Sequence, residues 1–115
     1  MSEDCIFCQI AAKTIPKEFL FENERIMAFD DIHKDAPTHF LVVPKKHLAS
    51  LAETTVADQA LLGELVTTAA ALAHEAGVDT TGYRVVINTR KHGGQLIPHL
   101  HLHVMGGRQM GNSHG

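Results

Sequence analysis

Hydrophobic positions recur along this chain with two periods, and the switches between them mark its elements. Ile6, Phe7 and Ile10 share one side of a helical turn, predicting a short helix capped by Asp4 and running to about Lys13. Ile15-Pro16 ends it, because the residue before a proline is pushed out of helical space. Glu18–Phe21 and Arg25–Phe29 read as a hairpin turning at Asn23-Glu24. Thr38–Val43 is almost wholly apolar, which predicts a central strand buried on both faces.

From about Val56 to Ala76 the period becomes helical. Leu61, Leu62, Leu65, Val66, Ala69, Leu72 and Ala73 form a core-facing stripe opposite Asp58, Gln59, Glu64 and Thr68, and Gly77 stops the helix. Tyr83–Asn88 reads as a fourth strand, Thr89–Gln95 as a loop, and Pro98–Met105 as a fifth strand. The order predicts an α+β domain: a five-stranded antiparallel meander covered by one long helix, with a short N-terminal helix. One domain over residues 1–115 is expected, with Phe29, Val43 and Val86 in its core and residues 106–115 as a flexible tail. Its open sheet edges favour dimerisation.

The fifth strand carries the most pointed chemistry. His99, His101 and His103 alternate with Leu100, Leu102 and Val104, so the imidazoles share one face and the apolar residues pack behind. Same-face neighbours on a strand lie about 7 Å apart. Three such rings cannot converge on one ion, but they can divide a reaction between attack and binding.

Composition narrows the partners. The 115 residues are 44% hydrophobic and 20% charged, as expected of a globular chain. A net charge of −3 and a pI near 6.3 argue against binding a nucleic-acid polymer, though not against a small anion. No run of 18 apolar residues predicts a membrane span, and the acidic Met1-Ser2-Glu3-Asp4 start is unlike a secretory signal. Cytoplasmic residence is therefore the expectation, which favours thiols or metal ligands over a structural disulfide for Cys5 and Cys8. His74 and His114 read as surface residues.

Four groupings follow. Gly93-Gly94-Gln95 feeds the histidine strand, and glycine backbone N–H groups there can surround a phosphate, with Asn88 adding an amide. Alone, Gly-Gly is more often just a turn. A neutral imidazole attacks phosphorus near pH 7, so His101 is the candidate nucleophile and His103 a neighbouring donor. Cys5, Cys8, His47 and His99 fit a closed tetrahedral zinc site, with metal-free thiols or a redox pair as the alternatives. Asp31, following a strand, can accept ribose hydroxyls, or simply be solvated.

His99-Leu100-His101-Leu102-His103-Val104 with Gly106-Gly107-Arg108-Gln109-Met110 resembles the histidine triad family, and within it the Hint branch. Asp4–Cys8, Ile15-Pro16, Ala36–His47, Gly82–Arg84 and Gly93–Gln95 extend the likeness over nearly the whole chain. The resemblance implies a homodimer with its two sheets joined. It also implies hydrolysis of purine nucleoside phosphoramidates through a nucleotidyl-His101 intermediate, without a catalytic cofactor. It gives His103 the phosphate and leaving group, His39 and His99 supporting places in the histidine set, and Asp31 the ribose. Phe7, Ile10, Ile15, Phe29 and Ile32 would surround the purine; Asn88, Gly94, Gln95 and the Leu96 position would line the phosphate pocket. Relatives strengthen the expectation of structural zinc on Cys5, Cys8, His47 and His99.

Two departures stand out. Leu96 replaces a serine usual in that branch, and Pro98 replaces an aromatic residue. Loss of the hydroxyl predicts slower turnover with AMP binding kept. A purine-nucleotide-binding regulatory dimer with vestigial catalysis is the alternative function.

Overall fold

A computed structural model describes residues 4–112. Its elements are α1 (Ile6–Ala11), β1 (Phe21–Glu22), β2 (Ile26–Asp30), β3 (Thr38–Pro44), α2 (Gln59–Glu75), β4 (Tyr83–Val86) and β5 (Leu102–Gly106), with three short 3-10 turns. All strand pairs are antiparallel, in the order β1-β2-β3-β5-β4. The arrangement is the α+β one expected, but it departs from a simple meander at one step. After α2 crosses the sheet, the chain returns at the outer edge as β4, and β5 fills the place beside β3. β5 is thus internal, but of the three histidines expected on one strand face only His103 lies in it, His99 and His101 preceding the strand.

Strand alternation sorts the core onto two faces. Ile26, Ala28, Phe40, Val42, Leu102 and Val104 meet Leu65, Ala69, Leu72 and Ala73 of α2. Met27, Phe29, Leu41 and Val43 meet Cys5, Phe7, Cys8 and Ile10 around α1. The expectation for Phe29 and Val43 holds, whereas Val86 is only half-buried. Val56–Glu75 is long and apolar enough to cross a membrane by composition, but its stripe at i, i+4, i+7 and i+8 packs on the sheet like a core helix.

Both helices end in the same hydrogen-bond pattern. At α2, Gly77 (φ 77°) donates to the His74 carbonyl at 3.0 Å and Val78 to the Ala73 carbonyl at 3.1 Å. At α1, Lys13 takes the left-handed position (φ 67°), donating to Ile10, while Thr14 donates to Gln9. That turn ends α1 at Ala11, two residues before the expected Lys13. Its N-cap is the Cys5 thiol, 3.3 Å from the Cys8 N–H, rather than Asp4.

Other boundaries shift as well. β1 is shorter than expected, β4 stops before Ile87-Asn88, and β5 begins only at Leu102. Pro98 has no N–H to donate, and Leu100 N–H bonds the Leu48 carbonyl at 2.7 Å, so this stretch joins the loop after β3 instead of the ladder. The described part of the tail is tied down: Arg108 donates twice to the Asp35 carbonyl, and Arg84 donates to the Gly111 carbonyl at 2.6 Å. The rest of the tail, with His114, lies outside the described residues.

Candidate active site and metal centre

His101 and His103 lie with ring centroids 5.0 Å apart, and hydrogen bonds give each ring a definite tautomer. Nδ1 of His101 donates to the His99 carbonyl at 2.7 Å, leaving Nε2 with a lone pair. No described partner meets that Nε2, and no buried side-chain nitrogen or oxygen is unsatisfied, so this atom opens to the surface from a ring only 6% exposed. The opening keeps attack at Nε2 possible.

His103 has the complementary arrangement. The Asp35 N–H donates to His39 Nδ1 at 3.0 Å, which puts the His39 proton on Nε2. That N–H stands 3.0 Å from His103 Nδ1 and 3.3 Å from Asp31 Oδ2. His103 Nδ1 accepts, and its own proton sits on Nε2. Burial pushes His101 and His103 below the ordinary imidazole value, so both are neutral near pH 7. A ring with its lone pair on Nε2 and a ring with its proton on Nε2 therefore stand with centroids 5.0 Å apart. His39, 2% exposed with both nitrogens engaged, holds His103 and does not reach a substrate. Register makes this possible: His39 is opposite Met105 and Leu41 opposite His103, so the two histidines are diagonal neighbours on one face.

Cys5 Sγ and Cys8 Sγ lie 3.2 and 3.6 Å from His99 Nδ1, which is 3.1 Å from His47 Nδ1; Cys8 Sγ is 3.2 Å from that same atom. Zinc bonds of about 2.0–2.3 Å set tetrahedral donor spacings of roughly 3.3–3.8 Å. His99 Nε2–H donates to the Pro44 carbonyl at 2.7 Å, which turns a lone pair at Nδ1 into the cluster, as ligating histidines require. The donor set fits zinc. Burial, then the neighbouring Cys5, pushes the Cys8 thiol up to about 11, a burden a cation would relieve. His99 is fully buried with both nitrogens engaged, so, contrary to a catalytic part for it, its ring cannot touch a substrate. Asp31, His39 and His103 are also close enough to hold a metal. The N–H donated to His39 Nδ1 leaves Nε2 protonated, however, so this second group works as a hydrogen-bond relay.

The glycine loop differs from the expected phosphate cradle. The N–H groups of Gly93, Gly94 and Gln95 are spent on the carbonyls of Arg90 and Lys91. Asn88 Nδ2 donates to the Gly93 carbonyl, and the Gln95 amide bonds the Ala49 and Ile97 carbonyls and the Arg90 N–H. These side chains shape the loop. Leu96, 93% exposed, borders a concavity of about 520 Å³ that includes Gln95 and Pro98 but neither His101 nor His103. Phe7, Ile10 and Phe29 are packed together in the core, Ile15 is at its margin, and Ile32 is 78% exposed. Asp31 Oδ1 accepts the His33 N–H at 2.9 Å while Oδ2 faces His39.

A sequence model described as "HIT domain" matches residues 12–110. The chain belongs to the HIT family. It is 36% identical over 111 residues to the purine nucleoside phosphoramidase of Escherichia coli, covering 96% of this chain and 93% of that one. A HIT family hydrolase from Legionella pneumophila superposes with a TM-score of 0.93 at 44% identity, covering 95% and 97% of the two chains. A zinc-bound histidine triad family protein from Mycobacterium smegmatis gives 0.77 at 31% identity, covering 91% and 76%. The HIT match holds His39, His47 and the 99–103 triad but not Cys5 and Cys8, so half of the candidate metal ligands fall outside it. Sequence reading missed the Pro44 carbonyl, the Asp35 N–H and Phe7's place against the imidazoles, 5.6 Å from His99 and 5.3 Å from His101. The first two are main-chain groups, for which no residue type signals.

Proposed function

We propose that this chain hydrolyses purine nucleoside phosphoramidates, such as adenosine 5′-phosphoramidate or AMP-lysine, to the monophosphate and an amine. The observation that carries this reading is a His101 Nε2 with no partner among the described residues, on a ring whose centroid is 5.0 Å from that of His103. The E. coli relative's name supplies the substrate class.

His101 Nε2 bonds to the α-phosphorus as the P–N bond breaks. The amine leaves with a proton taken from solvent, while the His103 Nε2–H donates a hydrogen bond at the phosphoryl group and His103 stays neutral. His101 keeps its Nδ1–H on the His99 carbonyl, which stabilises the cationic nucleotidyl-imidazole. Water then attacks the same phosphorus, the His101 Nε2–P bond breaks, and the water's proton returns to solvent, releasing the monophosphate and restoring neutral His101. Histidines supply the lone pair and a hydrogen-bond donor, so the proposal calls on no catalytic cofactor. Asp31 takes the ribose hydroxyls, with Phe7, Ile10, Ile15, Phe29 and Ile32 around the base and Asn88, Gly94, Gln95 and Leu96 beside the phosphate. Base binding requires the packed Phe7–Phe29 margin to open.

The same reading has Cys5, Cys8, His47 and His99 hold structural zinc, which when bound cross-links α1 to the approach to β5. It also pairs two chains in a cytoplasmic homodimer through the open side of β4, where Val85 is 40% exposed. Incubation with radiolabelled adenosine phosphoramidate is expected to label the wild type at His101 and leave His101→Asn unlabelled. Equal labelling of both overturns the mechanism. Nucleotide binding with no turnover would favour the regulatory dimer, a reading to which the exposed Leu96 lends weight.

A further inference from the structure

We propose that His99 is a positioning residue, through which the Cys5–Cys8–His47 cluster governs whether His101 is held ready to attack. This rests on the nucleophilic reading of His101, but its first readout does not.

One residue serves both centres. The His99 ring supplies Nδ1 to the two thiols and His47, while its carbonyl receives the His101 Nδ1–H. The ring is also tied to the end of β3 through Pro44. The His99 N–H is bonded to the Ile97 carbonyl at 2.8 Å and its ring to Pro44, so with both held, anchoring the ring steadies the carbonyl that selects the tautomer of His101. The other tautomer carries its proton on Nε2 and cannot attack from that nitrogen.

Phe7 makes a second link. It lies between Cys5 and Cys8 in sequence, and its ring stands edge-on to both His99 and His101. A six-residue helix is too short to persist alone. Release of the two thiols loosens α1 and takes Phe7 from the back of the nucleophile. Both links end on the same imidazole and leave the His39–His103 relay untouched.

The test uses the full-length chain with 15N-labelled histidine, compared zinc-loaded, metal-free, and as His47→Ala and His47→Cys. NMR of the ring nitrogens reads the His101 tautomer, and adenylation gives kcat and KM separately. Zinc-loaded protein is expected to show His101 protonated at Nδ1 alone. Metal-free protein and His47→Ala are expected to show both tautomers, with kcat down about 10–100-fold and KM little changed. His47→Cys is expected to restore both, because three cysteines and one histidine also close a zinc shell.

One unchanged tautomer in every form overturns the proposal, as does a wild type that takes up no zinc. A zinc-loaded His47→Cys that restores nothing also overturns it. If metal-free protein unfolds, folded His47→Ala carries the comparison; if that variant unfolds too, the cluster's role is folding alone and the proposal falls. A tautomer that responds as expected in a protein never adenylated would sink the phosphoramidase reading and leave the positioning role standing.

Discussion

His39 Nε2 meets His103 Nδ1 at 3.0 Å, joining two residues 64 positions apart in the chain. With His39 Nδ1 already accepting from Asp35, the proton between the two rings belongs to His39. Losing His39 frees His103 to take either tautomer. Losing a hydrogen-bond donor aimed at developing charge costs roughly 10²–10³-fold, so His103→Ala is expected to lose that much kcat. His39→Asn is expected to lose part of it with KM nearly constant. Steady-state kinetics on an adenylated amine decides this, and a His39→Asn enzyme with wild-type kcat contradicts the relay.

Leu96 is 93% exposed beside the glycine loop. Exchanging an exposed side chain that packs against little changes stability by no more than about 0.5 kcal/mol. Leu96→Ser is therefore expected to leave thermal unfolding unaltered and to raise turnover by supplying a hydroxyl near the phosphate. Unchanged turnover would mean the internally bonded loop, rather than the missing hydroxyl, sets the rate.

The strand faces and the long helix were legible because their periods are strong. Ile26 and Ala28 against Met27 and Phe29 already separate the two faces of β2, and Leu65, Ala69, Leu72 and Ala73 mark one side of α2. Strand order was not legible, since periodicity says which face a residue takes and not which strand lies beside it. The cysteine–histidine set was readable from ligand types, and the structure brings all four together. The bonding of the glycine loop was not legible, because Gly93-Gly94 does not reveal that its N–H groups are spent on the Arg90 and Lys91 carbonyls. His39 was reached only by resemblance, because its pairing with His103 depends on register.

Gly106 closes β5 against the loop after α2. A Cβ there would lie 2.8 Å from Val78 Cβ and 3.0 Å from its Cγ1, and Val78 is itself buried at the end of α2. A branched side chain fixed at its Cβ cannot swing aside, so Gly106→Ala must shift backbone. Overpacking of this kind costs about 1–3 kcal/mol. Urea unfolding is expected to show a lower midpoint with an unchanged slope; an unaltered midpoint would mean Val78 relaxes freely.

Glu64 of α2 receives Arg25 Nε at 2.8 Å, Arg25 Nη2 at 2.9 Å and Asn23 Nδ2 at 3.0 Å, tying the helix to the β1–β2 turn. The Arg25 hydrogen bonds, then Asn23, hold this carboxyl down to about 2 from its ordinary 4.5. A carboxyl depressed by folding stabilises the folded state above its unfolded value and loses that contribution as pH falls toward the folded one. Glu64→Gln is thus expected to be less stable than wild type at pH 7, with the gap narrowing from about pH 4.5 downward and closing near pH 2. Solvent reaches the pair, so added salt should shrink the gap at pH 7 as well. Urea titrations of both proteins at pH 7, 4 and 2 read the effect directly. A gap independent of pH would assign Glu64 a packing role in place of an ionic one.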